Sequence, residues 1–237
     1  MTRKNSLNSS SVHDGYPRLV CGIDEAGRGP VIGPMVICGV CFRSSNLEIL
    51  TDIGVKDSKK LNSKKRRALS EIIKKECLSY KLQIVSVQEI DERADKNITL
   101  NRLEELKFAN IINDLKPNII YLDAADVNQE RFGNSISKLL NYSTEKIISK
   151  HKADDIFPIV SAASIVAKDK RDAIIEELKE IHGDLGSGYP SDRKTIDFLR
   201  DWIKNKKEIP YFARKSWETI KKITEEELSN RKITDFF

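Results

Sequence analysis

The stretch Asn118 to Asp126, NIIYLDAAD, is a near-continuous apolar run that reaches an acid. Runs of this kind are typical of strands buried in a parallel sheet, and covering such a sheet takes helices. A second run, Leu19 to Ile23, also ends in acids, Asp24 and Glu25. A third, Met35 to Phe42, follows a Gly/Pro turn, so the two read as a hairpin. Lys81 to Gln88 alternates like a strand, and Glu145 to His151 reads as a fifth.

Between these runs the spacing turns helical. Asn62 or Ser63 caps a helix carrying Leu69, Ile72 and Ile73, and Phe108, Ile111, Ile112 and Leu115 mark one face of a helix from Leu100 to Leu115. A helix near Gln129 to Leu140 and a long one from Pro158 to Gly183 follow. The small run Ala162, Ala163, Ser164 lets another backbone approach closely. Two more helical patterns lie near Asp192 to Lys204 and Arg214 to Glu227. The order β-β-β-α-β-α-β, then helices, predicts an α/β fold: a mixed sheet covered by helices, with a helical C-terminal extension.

The 237 residues are 39% apolar and 32% charged, a globular balance with a heavily charged surface. The net charge of +5 permits a polyanionic partner without demanding one. From Val55 to Glu76 there are nine Lys or Arg against three Asp or Glu. No apolar run approaches the roughly 20 residues that span a bilayer, and the first residues lack an apolar signal core. A cytoplasmic location and free cysteines are therefore expected. Cys38 and Cys41 form a C-x-x-C, but three residues apart on a strand they face opposite sides and read as core.

The stretch GIDEAGRGPVIGP, Gly22 to Pro34, decides the chemistry. It is not a dinucleotide fingerprint, because Ile32 stands where a third glycine is needed. It is not a P-loop either, since it lacks G-K-[ST] and carries Pro30 and Pro34, which have no N–H to donate. The metal reading fares better. Asp24 and Asp123 both end strands, and sites in open α/β sheets form at carboxyl ends of strands. A third pair, Asp154–Asp155, is expected in a loop just after the fifth strand. Oxygen-rich sites of this sort suit Mg²⁺. A regular pleat sends Asp24 and Glu25 to opposite faces, so Glu25 is expected past the strand end or contributing its carbonyl as well.

The segments GIDEAGRGPVIGPMV, DSKKL, YLDAAD, HKADDIFPIVSAASIVAK, RD and GSGYPSD, from about Val20 to Trp217, together resemble ribonuclease HII of the archaeal and eukaryotic-like branch. The resemblance implies a ribonuclease H-like fold, a five-stranded mixed sheet flanked by helices. It implies hydrolysis of the RNA strand of RNA–DNA hybrids and nicking of DNA at embedded ribonucleotides, leaving 5′-phosphate and 3′-hydroxyl ends. Asp24, Glu25, Asp123 and Asp154 would be the catalytic carboxylates and would bind two Mg²⁺ or Mn²⁺ ions. Gly27, Arg28 and Gly29 would contact the ribose, Tyr189 would hydrogen-bond it and stack on the neighbouring deoxynucleotide sugar, and Lys59 and Lys60 would meet phosphates. His151 fits either a general base or a basic neighbour of substrate phosphates; Asp155 and Asp126 are not assigned to catalysis. Asp169, Lys170 and Arg193 depart from the family pattern at positions expected on the surface.

The chain ends NRKITDFF. Paired aromatics at a polar terminus suggest an anchor for a partner's groove. The spacing of Asn230, Ile233, Phe236 and Phe237 resembles a sliding-clamp-binding peptide. The expected organisation is a disordered arm over 1–18, a catalytic domain over 19–184, a helical extension over 185–229 and the tail peptide over 230–237, in a monomer. A bulk hybrid-degrading ribonuclease HIII would need an added N-terminal domain, for which the 19 or so residues before the first strand are too few. A non-catalytic adaptor would have lost a carboxylate.

Overall fold

Strand β1 (Leu19–Ala26) is buried along almost its whole length and occupies the middle of the sheet. The computed structural model describes residues 17–55 and 61–229. β1 pairs antiparallel with β2 (Met35–Arg43), which pairs antiparallel with β3 (Ser79–Val85). On its other side β1 runs parallel to β4 (Ile119–Asp123), and β4 runs parallel to β5 (Lys146–Lys150). The sheet order is β3-β2-β1-β4-β5, the five-stranded mixed sheet expected. Cys38 and Cys41 fall in the cores on opposite faces of the sheet.

Short α1 (Ile49–Asp52) and α2 (Ser63–Glu76) link β2 to β3. The Asn62 side chain caps α2 by accepting from the Lys65 N–H at 2.9 Å, as its position in the sequence suggests. α3 (Val87–Asp95) was not expected: it begins inside the stretch read as strand, because the Ser86 hydroxyl caps it by accepting from the Glu89 N–H. α4 (Leu100–Leu115) has the expected bounds and stops where Lys116 turns left-handed ahead of Pro117. α5 (Gln129–Ser137) precedes β5 and ends three residues short of the expected Leu140. α6 (Ala153–Ile156) is a single turn and corrects the loop expected around Asp154–Asp155. α7 (Pro158–His182) is the long helix, opened by proline at a position where no N–H is needed.

α7 covers one face of the sheet and α4 the other. A strand does approach α7 closely, but at Ile159 and Val160 rather than at the Ala162–Ser164 run foreseen for it. A Cβ on Gly22 would stand 2.2 Å from the Ile159 carbonyl oxygen, so only glycine lets β1 lie against the start of α7.

α8 (Arg193–Lys206) and α9 (Glu218–Ser229) build a third core with the end of α7. Val31 and Ile32, from the β1–β2 connection, are buried in that core. Their N–H groups donate to the Gly188 carbonyl at 2.8 and 3.1 Å, and the Gly33 N–H donates to Phe212 O at 2.8 Å. The glycine-rich connection is thus a docked loop rather than a free hairpin turn.

Candidate active site

The sheet register decides which acids meet. On the parallel pair β1–β4, Ile23 stands opposite Leu122, so Asp24 and Asp123 are next in line. Alternate residues share a face. Asp24 falls on the α7 face with Val20 and Ala26, and Asp123 joins it there with Ile119 and Tyr121. Glu25 falls on the α4 face with Cys21 and Ile23. The strand continues through Ala26 and Glu25 is paired with Ile37, which corrects the expectation that Glu25 lies past the strand end. Asp154 arrives from α6, held against β4 by the Ala153 N–H donating to Asp123 Oδ1 at 3.2 Å.

One carboxylate oxygen each from Asp24, Asp123 and Asp154 lies within 4.8 Å of the others. Glu25 stands outside this trio, across the sheet plane, and Asp155 is exposed beyond it. Burial raises the Asp24 carboxyl well above the usual range; Glu25 and Asp123 push the same way, against the Ser164 hydroxyl and Lys168. Burial also raises Asp123, with Asp154 adding to the effect against the Ala153 N–H. Glu25 is pushed up to about 8, first by burial and then by Glu104 and Asp123.

These residues fit a divalent cation. The donors are hard carboxylate oxygens, the kind that Mg²⁺ and Mn²⁺ take. Converging buried like charges are costly without a balancing cation. Glu25 Oε2 is buried with no hydrogen-bond partner, an orphan acceptor at the same sheet edge.

The glycine loop borders these acids. Arg214, fully buried, donates to the carbonyls of Gly27 (2.6 Å), Arg28 (2.9 Å) and Gly33 (3.0 Å). Burial and neighbouring Arg171 disfavour its charge, but an arginine stays charged and these carbonyls solvate it. Gly27 has φ +84°, and a Cβ there would stand 2.4 Å from Arg171 Nε. The Arg171 guanidinium also faces the Tyr189 ring at 5.2 Å. At Gly29 a Cβ would meet no heavy atom within 4 Å. Glu25, Gly27, Arg28, Gly29, Lys168 and Tyr189 line a common groove of about 450 Å³.

Lys59, Lys60, Asn230, Ile233, Phe236 and Phe237 lie outside the described residues. His151 is exposed; its backbone N–H donates to Gln129 Oε1, and its Nε2 lies 3.2 Å from Val127 O. Asp126 is buried, accepting from the Asn128 N–H, Asn101 Nδ2 and Arg131. Sequence reasoning missed Arg214 and Glu104 and gave Arg171 no role. Their importance comes from burial beside the loop, and no local spacing signals that contact.

Residues 21–220 match the family model described as Ribonuclease HII. A ribonuclease HII of Methanocella arvoryzae is 50% identical over 201 residues, covering 84% of this chain and 89% of its own. The crystal structure of ribonuclease H2 from Pyrococcus horikoshii OT3 has a TM-score of 0.85 at 44% identity, over 90% of this chain and 100% of that one. A chain of the solved PCNA:RNase HII complex from Archaeoglobus fulgidus gives 0.78 at 42%, over 84% and 95%. With likeness of this degree along most of its length, the chain belongs to the ribonuclease HII family, with a ribonuclease H-like fold and the activity of a divalent-metal-dependent endoribonuclease.

Proposed function

We propose that this protein hydrolyses the RNA strand of RNA–DNA hybrids and nicks DNA on the 5′ side of an embedded ribonucleotide, leaving 5′-phosphate and 3′-hydroxyl ends. The observation that carries this reading is the three-acid cluster, set beside a loop whose Gly29 opens onto free space.

Asp24, Asp123 and Asp154, with Glu25 from the other side of the strand, would hold two Mg²⁺ or Mn²⁺ ions. Bound there, the ions supply Lewis-acid stabilisation of the attacking and leaving oxygens of an in-line displacement. Asp24 and Asp123 are delivered by rigid central strands, which keeps the oxygen donors in place as a phosphate arrives. Glu25 and Asp24 must give up protons for a cation to enter, so metal affinity rises with pH.

Discrimination of RNA from DNA rests on the 2′-hydroxyl, both donor and acceptor. Arg214 already occupies the Gly27 and Arg28 carbonyls, so the loop amides and the open side of Gly29 are left to meet the sugar. Tyr189, 40% exposed and held by Arg171, would bond the ribose and pack on the next sugar. Lys59 and Lys60 would contact phosphates, which position the duplex without reading its sequence.

The setting is ribonucleotide excision and primer removal. The Archaeoglobus fulgidus RNase HII is solved in complex with PCNA, which supports reading Ile233, Phe236 and Phe237 as a clamp-binding peptide. On this reading residues 1–18 are an arm, 19–184 the catalytic domain, 185–229 its extension and 230–237 the clamp peptide of a cytoplasmic monomer. Asp123→Asn tests the metal role: it should keep the wild-type circular dichroism, lose Mn²⁺ binding by calorimetry, and cut at least about 100-fold more slowly. Unchanged Mg²⁺-dependent cleavage would sink the assignment.

A further inference from the structure

Glu104 lies on α4, and its side chain is fully buried. A buried carboxylate persists only when paired. Here the partner is Arg28, the central residue of the glycine loop. Arg28 Nε donates to Glu104 Oε1 at 2.9 Å and to Oε2 at 3.0 Å, and its Nη2 donates to Asn101 Oδ1 one turn earlier on the same helix. The chain of contacts continues. Asn101 Nδ2 donates to Asp126 Oδ2 at 3.1 Å, and Asp126 Oδ1 accepts from the Asn128 N–H at 2.8 Å. The start of α4 therefore ties the loop after β1 to the loop after β4, and these strands carry Asp24 and Asp123.

We propose that Glu104, with Asn101, is a positioning residue for ribose discrimination, anchoring the Arg28 side chain so that the loop backbone presents one fixed face to the sugar. The proposal rests on the reading of the loop given under Proposed function. Two anchors oppose each other across the loop. Arg214 holds the loop by its Gly27 and Arg28 carbonyls, from the C-terminal segment. Glu104 holds the Arg28 side chain from α4. A peptide clamped from both sides keeps its orientation as a ligand arrives, and a misplacement of 1 Å is enough to cost about 100-fold in rate. The guanidinium is thereby committed to protein and withheld from the phosphates, although its side chain is 36% exposed. The loop arginine acts as a structural strut, and its backbone is the recognition element.

The test compares duplexes carrying one ribonucleotide or one 2′-fluoro nucleotide at the same place. The fluoro group lacks the hydroxyl donor. The ratio of the two cleavage rates does not depend on the folded fraction, so loss of structure alone leaves it unmoved. Asn101→Ala, with Mn²⁺ affinity within about twofold of wild type, and Glu104→Ala should each lower that ratio at least about fivefold. Arg28→Ala should do the same, and Arg28→Ala/Glu104→Ala should be no worse than the more severe single change, because both remove one strut. Glu104→Gln keeps the shape and an acceptor, and serves if Glu104→Ala does not fold; its loss should lie between those of wild type and the alanine variant.

An unchanged ratio in folded Glu104→Gln and Asn101→Ala, or independent losses that multiply in the double variant, would overturn the proposal. A wild-type enzyme that cuts both duplexes equally would overturn the sugar-reading role of the loop and this proposal with it. A wild type that discriminates, with variants that do so equally well, would sink the Glu104 role alone.

Discussion

Gly27 and Gly29 sit two residues apart yet are glycines for different reasons. Gly27 adopts φ +84° and has Arg171 against it, so Gly27→Ala strains the protein itself. Gly29 faces open space, so Gly29→Ala should fold as wild type, with a melting temperature within about 2 °C, and still lose at least about tenfold in kcat/KM on a single-ribonucleotide duplex. Equal activity in Gly29→Ala would remove the sugar from that face. Glu25 offers a pH test. It holds its proton to about pH 8 in the fold, whereas an unfolded glutamate releases it near about 4.3. A carboxyl raised in this way costs stability progressively as pH rises through that window. Metal-free Glu25→Gln should therefore be more stable than wild type at about pH 8.5, and the gain should shrink by about 1 kcal/mol per unit as the pH falls toward about 5.5. Urea unfolding in chelator measures it; a gain independent of pH would contradict the assignment. Asp24, Asp123 and Asp154 were legible because each ends an apolar run or abuts one. Glu104 was not, since an acid on an amphipathic helix normally faces water.

At the scale of elements, strands with continuous apolar runs were read correctly because burial on both faces leaves no polar alternation to mislead. α4 was read to the residue because Phe108, Ile111, Ile112 and Leu115 repeat at helical spacing up to its last residue. α3 was missed because its first residues, Val87 and Gln88, continue the alternation of β3, and only the Ser86 cap marks the change. The single turn of α6 was also missed, being too short to show a period. The contact of β1 with α7 is the joint that sets Asp24 against Ser164 and Lys168. Gly22→Ala would force a Cβ to 2.2 Å from Ile159 O. It should destabilise the protein by about 3 kcal/mol, roughly 6–12 °C in melting temperature, and lower metal affinity as β1 shifts. A calorimetric scan showing no change would mean that β1 and α7 separate at little cost.

At the scale of the whole molecule, the C-terminal helices are part of the site although they carry none of its acids. Val31 and Ile32 are rooted in their core, and Arg214 grips three carbonyls of the loop. Arg214→Met would leave those buried carbonyls unpaired, and unfolding titrations should show a loss of about 3 kcal/mol. Mn²⁺ should still bind the folded variant, because Asp24, Glu25 and Asp123 sit on the sheet and Asp154 on α6; lost binding would mean that the C-terminal segment shapes the metal site too. Among the described residues no helix is long and apolar enough to cross a membrane. The measurement that bears most directly on the joint role of acids and loop is nucleotide-resolution mapping of the cut in a DNA duplex holding one ribonucleotide, with Mg²⁺, with Mn²⁺ and with chelator. The expected result is one metal-dependent nick on the 5′ side of the ribonucleotide, leaving it at a 5′-phosphate end. Cleavage that persists in chelator, or cuts that ignore the position of the ribonucleotide, would contradict the account.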